Sequence, residues 1–288
     1  MKTKNPVFRA VEPYLYLIPA LVLFGLFVFW PFLRTIQLSF ALTNPLGQVT
    51  NYNGLDNYLT IFTNGVFLSS LVVTAKFAAM RVVFSIAIGF VLAIISTEKI
   101  KGKGFFRTMY ALPMAISASA AAAIFMFIFH GSVGVLNKVL GTRIGWLTDP
   151  KYALISVTIV SVWIAIGMNF IYLTAAIQSV PAELYESVSL DGAHFFQKHW
   201  YVTIPGVSPT LFFLLIINVI NSVQAYGEVK MMTQGGPASS TNIVVYEIYA
   251  QAFMNSRFGI ACAESVVLFI ILIILTAIQF KLEKKVTY

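Results

Sequence analysis

"ELYESVSLDGAHFFQKHW", residues 183–200, sets three acids, an Asp-Gly turn and four aromatic side chains between two long apolar runs. The chain around it is 58% hydrophobic and only 10% charged over 288 residues, where a soluble domain carries roughly 25% charged residues. That leaves too little polar surface to cover a water-soluble core, so the bilayer is the solvent for most of the chain. An acidic, aromatic-edged segment in such a chain belongs outside the hydrocarbon, and its side of the membrane follows from where the spans fall.

Six stretches approach the ~20 apolar residues that cross a bilayer as a helix: residues 14–32, 71–96, 109–129, 152–177, 207–225 and 260–280. Pro13 stands near the first turn of the first span, where a missing N–H costs nothing. The third carries "SASAAAA", residues 117–123, small side chains that let a neighbouring helix approach closely. Between spans, "TNPLGQ" (43–48), "NYNGLDN" (51–57) and "TQGGPASSTN" (233–242) are clusters of turn-forming residues and read as extracytoplasmic connections that stop regular structure. The expected class is an all-α integral membrane protein of six transmembrane helices. Residues 1–13 form a cytoplasmic lead, 14–281 the membrane domain and 282–288 a cytoplasmic tail.

Basic residues set the orientation. With both termini cytoplasmic, the inner segments hold eleven: Lys2, Lys4, Arg9, Lys99, Lys101, Lys103, Arg107, Lys198, Lys281, Lys284 and Lys285. The outer segments hold five: Lys138, Arg143, Lys151, Lys230 and Arg257. This excess of inner Lys and Arg supports N-in, C-in, although the inner segment 179–205 contributes only Lys198 against three acids. The net charge of +8 clusters at the ends of apolar runs and forms no basic stripe, so nucleic acid is not an expected partner. A single cysteine, Cys262, allows no intrachain disulfide, and His130, His194 and His199 are too scattered for a metal site. The basic start is followed by a full-length span with no small-residue cleavage site, so no cleavable signal peptide is expected. There is no Gly-x-x-x-x-Gly-Lys-Ser/Thr loop and no nucleophile beside a His and an acid. The chain is not expected to be an enzyme or to hold a cofactor.

On this topology residues 179–205 face the cytoplasm. Pro181 can begin a helix with Glu183 and Glu186 in its first turns, where acids suit the macrodipole. Leu184, Tyr185, Val188 and Leu190 give it an apolar side, and Asp191-Gly192 ends it. A second short helix, 193–201, offers Phe195, Phe196 and Trp200. Such a surface suits a groove on another protein. The plainer reading is a connector whose aromatics rest at the lipid interface.

The stretch "VPAELYESVSLDGAHFFQKHWYVTIPGVSPTL", residues 180–211, resembles the EAA loop of bacterial ABC importer permeases at Glu186, Asp191, Gly192, Ala193, Ile204 and Pro205. Ser187 and Val188 stand where that pattern has two alanines. "AAIQSVPAELYE", "NYNGLDNY", "TQGGPASSTNIVVYEIYAQAF" and the ending "AIQFKLEKKVTY" extend the likeness to sugar and glycerol-3-phosphate permeases of the maltose-transporter superfamily. The resemblance implies a type I ABC importer permease fold in a bacterial inner membrane. It also implies a second permease, two ATPase subunits that carry ATP and Mg, and an extracytoplasmic solute-binding protein. In such permeases the loop is a coupling helix seated in a cleft of the ATPase. By resemblance, Glu183, Tyr185, Glu186, Asp191, Gly192 and Phe195 would dock there, and Gly235, Gly236 and Pro237 would lie where the binding protein lands.

Polar side chains within spans are candidates for a solute path, since hydrocarbon offers them no partners. Asn218, Asn221, Gln224 and Glu228 stand near the outer half of the fifth span, the last three at i, i+3 and i+7 and so on one expected face. Amides suit sugar hydroxyls, and Tyr226 could stack on a sugar ring. Helix–helix hydrogen bonding is the plainer role, as it is for Asn169, lone in the fourth span. Arg81 either draws an acidic solute or, with Lys76, pairs with Glu264 or reaches the outer interface. The expected function is ATP-driven import of a carbohydrate or glycerol-3-phosphate type solute by alternating access. The alternatives are an ion-coupled secondary transporter and a membrane-embedded sensor or assembly subunit.

Overall fold

The computed structural model describes residues 6–98 and 102–286, so Lys2, Lys4, Lys99 and Lys101 of the orientation count lie outside the described residues. The chain divides into two units, Met1–Gly65 with Ile248–Phe269 and Val66–Glu247 with Ile270–Tyr288.

In the first unit α1 (Pro6–Phe24) passes through a π-helical turn, Gly25–Phe29, into α2 (Trp30–Ser39). The expected span of 14–32 therefore runs on to Ser39, because nothing between Pro31 and Ser39 breaks a helix and the first turn-forming cluster begins only at Thr43. As expected, residues 44–48 carry no helix or strand, and the chain turns back on itself there. It folds into a hairpin of β1 (Ala41–Thr43) and β2 (Val49–Tyr52). Asn44 closes it, its Oδ1 accepting the N–H groups of Leu46 at 3.0 Å and Gln48 at 2.9 Å. Behind it α3 (Asp56–Thr63) presents buried Asn57, whose amide donates to the carbonyls of Ser39 at 2.9 Å and Ala41 at 3.0 Å. One side chain thus satisfies two backbone acceptors where the helix gives way to the hairpin.

The second unit is built on two long helices, α4 (Val66–Thr97) and, after α5 (Lys103–Ala111), α6 (Ala118–Ile128) and α7 (Val135–Leu140), α8 (Pro150–Ser179). Asp149 caps α8 by accepting the Lys151 N–H at 2.9 Å, and Pro150 fills its first turn, where a ring without N–H is tolerated. α4 and α8 lie close enough at Gly89 that a Cβ there would stand 2.8 Å from the Asn169 Cβ. Around this approach Ala93, Phe170, Leu173 and Ile177 pack with Val207 and Leu214. In a bilayer such packing, more than water exclusion, holds helices together.

The third expected span is broken. Residues 104–115 and 118–128 meet at 105°, because Pro113 sits in a 3₁₀ turn and Ile116 is extended, with no helical hydrogen bonding possible across it. Ser117 then caps α6, its Oγ accepting the Ala120 N–H at 3.3 Å. Among the described residues five helices are long and apolar enough to span, and a sixth if this bent pair counts as one.

Beyond α8 follow α9 (Ala182–Leu190), α10 (Phe195–Lys198), α11 (Ile204–Val223), α12 (Gly227–Met232), α13 (Val244–Tyr249) and α14 (Phe258–Val286). The expected short helix 193–201 is not separate. α10 continues through a π-helical turn, His199–Thr203, directly into α11, so the second arm of the opening segment is rigidly joined to a spanning helix.

Candidate functional site

Inside the second unit polar side chains from three long helices meet. Arg81 and Ser85, four apart on α4, share a helix face; Asn218 and Ser222 do so on α11. Asn218 donates to Asn169 Oδ1 of α8 at 2.7 Å and accepts in return at 3.5 Å. Ser85 Oγ donates to Asn218 Oδ1 at 3.3 Å. Ser222 Oγ donates to the Asn218 carbonyl at 2.6 Å and accepts from Arg81 Nη1 at 3.3 Å. All are buried, Arg81 with 9% of its surface exposed and Asn169 with none. Arg81 Nε has no hydrogen-bond partner, although the Glu228 carboxylate attracts the guanidinium electrostatically. Glu228 itself accepts from Ser161 Oγ at 2.6 Å.

This geometry sorts the expected path residues into two sets. Arg81, Asn218 and Glu228 come together in the buried cluster, and Asn169, read as lone, is one of its members. Asn221 and Gln224 are exposed, and Tyr226 is half-buried. The expected shared face of Asn221, Gln224 and Glu228 does not exist, because α11 stops at Val223 and Glu228 stands on the separate helix α12. Helical spacing carries no information across that break. Ser85, Ser161 and Ser222 were not singled out from the sequence; their i, i+4 spacing to Arg81 and Asn218 was the available signal for two of them. Glu264, a considered partner of Arg81, belongs to the other unit, where it is 2% exposed.

At the far end of α4 and α8 lies the opening segment. α9 ends at Asp191 in a Schellman turn, with Gly192 N–H donating to the Ser189 carbonyl and Ala193 N–H to that of Val188, both at 3.2 Å. Gly192 has φ +76°, a left-handed conformation that glycine adopts without steric cost. No residue of α9 is buried. Leu190 is 89% and Phe196 82% exposed, and Glu183, Glu186, Asp191, Gly192 and Phe195 are exposed with them.

Tyr185 differs from the other expected docking residues. It is half-buried and turned inward, its hydroxyl 3.0 Å from Thr203 Oγ1, with the Lys198 ammonium 5.2 Å over its ring. Thr203 also meets His199 Nδ1 at 2.8 Å, and His199 Nε2 lies 4.0 Å from Glu98 at the end of α4. Tyr185 is thus part of the fastening that ties α9 to α11 and α4.

The loop 233–242 is also divided. Gly235 is buried with φ +78°, and a Cβ there would stand 2.8 Å from the Tyr246 ring; Gly236 and Pro237, joined by a cis peptide bond, are half-buried. Gln234, Ala238 and Ser239 present the exposed surface. Thr241 holds the loop, its hydroxyl within 2.7 Å of both Thr233 Oγ1 and the Gly236 carbonyl.

Comparison with known proteins gives the family and the fold. Residues 85–288 match the family model described as binding-protein-dependent transport system inner membrane component. The sn-glycerol-3-phosphate transport system permease protein UgpA of Agrobacterium fabrum is 34% identical, over 96% of this chain and 97% of that protein. Its Escherichia coli counterpart is 30% identical over the full length of both. Among solved structures, a bacterial ABC transporter involved in import of the acidic polysaccharide alginate superposes with a TM-score of 0.87 at 21% identity, covering 99% of this chain and 100% of that one. An inward-facing MetNI methionine ABC transporter gives a TM-score of 0.57 at 18% identity over 80% of this chain and 98% of that one.

Proposed function

The chain belongs to the binding-protein-dependent transport system inner membrane components, and from that membership we propose that it imports an anionic polyol, a glycerol phosphate or sugar acid. It is the permease subunit of an ABC importer, working with a second permease, ATPase subunits and an extracytoplasmic binding protein. The observation that carries the cargo class is Arg81, a buried guanidinium whose Nε lacks a partner. A buried cation with spare donors favours an anionic group, because the surrounding low dielectric strengthens the attraction. The names of the relatives, glycerol-3-phosphate permeases and an alginate importer, support this reading.

In the mechanism we infer, both termini are cytoplasmic and ATP with Mg stays on the partner subunits, this chain binding no nucleotide. ATPase closure moves α9, gripped at Glu183, Glu186, Asp191 and Phe195. The Tyr185–Thr203–His199 fastening passes that motion to α11 and to the end of α4. Both helices carry the buried cluster at their other level, so the motion reshapes the solute's surroundings. Gln234, Ala238 and Ser239, beside Gly235, Gly236 and Pro237, offer the loaded binding protein its landing surface. Each ligand biases the two access states only by its difference in affinity for them.

Proteoliposomes holding the assembled transporter test this. Glycerol 3-phosphate uptake should require both ATP inside and loaded binding protein outside; uptake driven by an ion gradient without ATP sinks the reading. Arg81→Gln should lower uptake of the phosphate ester about tenfold or more, with part restored by Arg81→Lys. Unchanged uptake in Arg81→Gln would remove Arg81 from recognition of the anion, whereas an unaltered transporter that takes up a neutral sugar and no glycerol 3-phosphate would remove the anionic cargo.

A further inference from the structure

Lys76 of α4 and Lys151 of α8, both exposed, flank a cavity of about 590 Å³ together with Val73, Met80, Leu154 and Ser240. The Ser240 hydroxyl is buried there without a partner. Met80 and Ile155 line this cavity and also a second one, of about 400 Å³, walled by Phe84, Ile88, Ile159, Trp163 and Ile166. The two form one groove between α4 and α8, cationic at its mouth and almost wholly apolar below it.

Its dimensions match one leaflet. Lys76 is 21 residues before Thr97, roughly 32 Å along α4, close to the ~30 Å of hydrocarbon in a bilayer. With the α9 end of the helices at one interface, Lys76 therefore stands at the opposite one. From Lys76 to Ile88 is roughly 18 Å, against about 15 Å for half the hydrocarbon. Thr158 and the Trp163 indole carry the polar groups of the lower part, and Thr158 already donates to the Leu154 carbonyl at 2.7 Å, so the lower groove is almost wholly apolar. The carboxylate nearest in sequence, Asp149, is engaged as the cap of α8.

We propose that this groove binds one anionic phospholipid of the leaflet opposite α9, its phosphate between Lys76, Lys151 and the Ser240 hydroxyl and an acyl chain along Phe84, Ile88, Ile159 and Trp163. Two lysines and an unsatisfied hydroxyl complement a phosphate diester, and a leaflet-deep apolar channel complements its tail. The lipid is separate from the transported solute, which the Arg81 cluster serves.

The test uses the complete transporter in nanodiscs of phosphatidylcholine with a minor fraction of phosphatidylglycerol, the retained lipids being counted by native mass spectrometry. Phosphatidylglycerol should be retained in preference, and the double variant Lys76→Gln/Lys151→Gln should lose that preference about tenfold or more. Lys76→Arg/Lys151→Arg should keep it, which separates charge from misfolding. A photo-crosslinking side chain at Ile159 should label lipid. Equal retention in the Gln variant, a crosslink from Ile159 to the partner permease, or displacement of the lipid by millimolar inorganic phosphate would each overturn the assignment.

Discussion

The second unit buries one cluster of polar side chains midway along its long helices and leaves some of its largest apolar ones exposed beyond their end. The cluster of Arg81, Asn169, Asn218 and Ser222 is buried and largely hydrogen-bonded within the chain. The α9 region leaves Leu190 and Phe196 almost fully exposed, with their nearest order supplied by Tyr185 and Thr203 beneath them. In the first region Arg81 Nε is buried without a partner, and the proposed solute would meet it there. The second leaves apolar side chains uncovered within the chain, where the proposed ATPase contact would lie. Exposed aromatics on a connector suit a partner protein, the role proposed for α9.

Three substitutions probe that contrast. Gly192→Pro should have the largest effect, because proline cannot take φ +76° and would dismantle the turn that aims α10. The space around Gly192 is open, so the chain should still insert, while binding-protein-stimulated ATP hydrolysis falls to the unstimulated level. Normal coupling in this variant would erase the distinction drawn above. Phe196→Ala comes next. Truncating an anchor at the centre of an interface costs about 2 kcal/mol, roughly thirtyfold in ATPase affinity, and should leave the melting temperature of the isolated permease unchanged. A lowered melting temperature with intact ATPase affinity would show that Phe196 serves the fold. Asn218→Ala is the smallest and opposite case. Removing interhelical hydrogen bonds in a bilayer costs about 0.6 kcal/mol on average and up to ~1.7, so denaturation in detergent should shift slightly while ATPase docking stays as it was.

Some of this was legible in the chain. The positions of the spans followed from apolar length, and the end of α9 at Asp191-Gly192 followed from turn chemistry, since both depend on a residue's relation to solvent or to its immediate backbone. The path residues were harder. Asn169 looked isolated because its partner Asn218 lies 49 positions away, and Glu228 looked continuous with Gln224 because nothing marks the end of α11 as strongly as Gly192 marks the end of α9. Tyr185 looked like the exposed residues around it; which side of a short helix faces inward is set by what packs below it.

The sequence by itself determined that this protein lives in a bilayer, where its helices run, and where a glycine-turned, aromatic segment separates two of them, because solvent partition and backbone conformation are local properties. Only the tertiary structure decided that Arg81, Asn169, Asn218 and Glu228 share one interior, that the third span is broken at Pro113 and Ile116, and that two lysines 75 residues apart frame one groove. Those facts depend on which helix faces which, and small side chains such as Gly89 settle that by letting particular backbones meet.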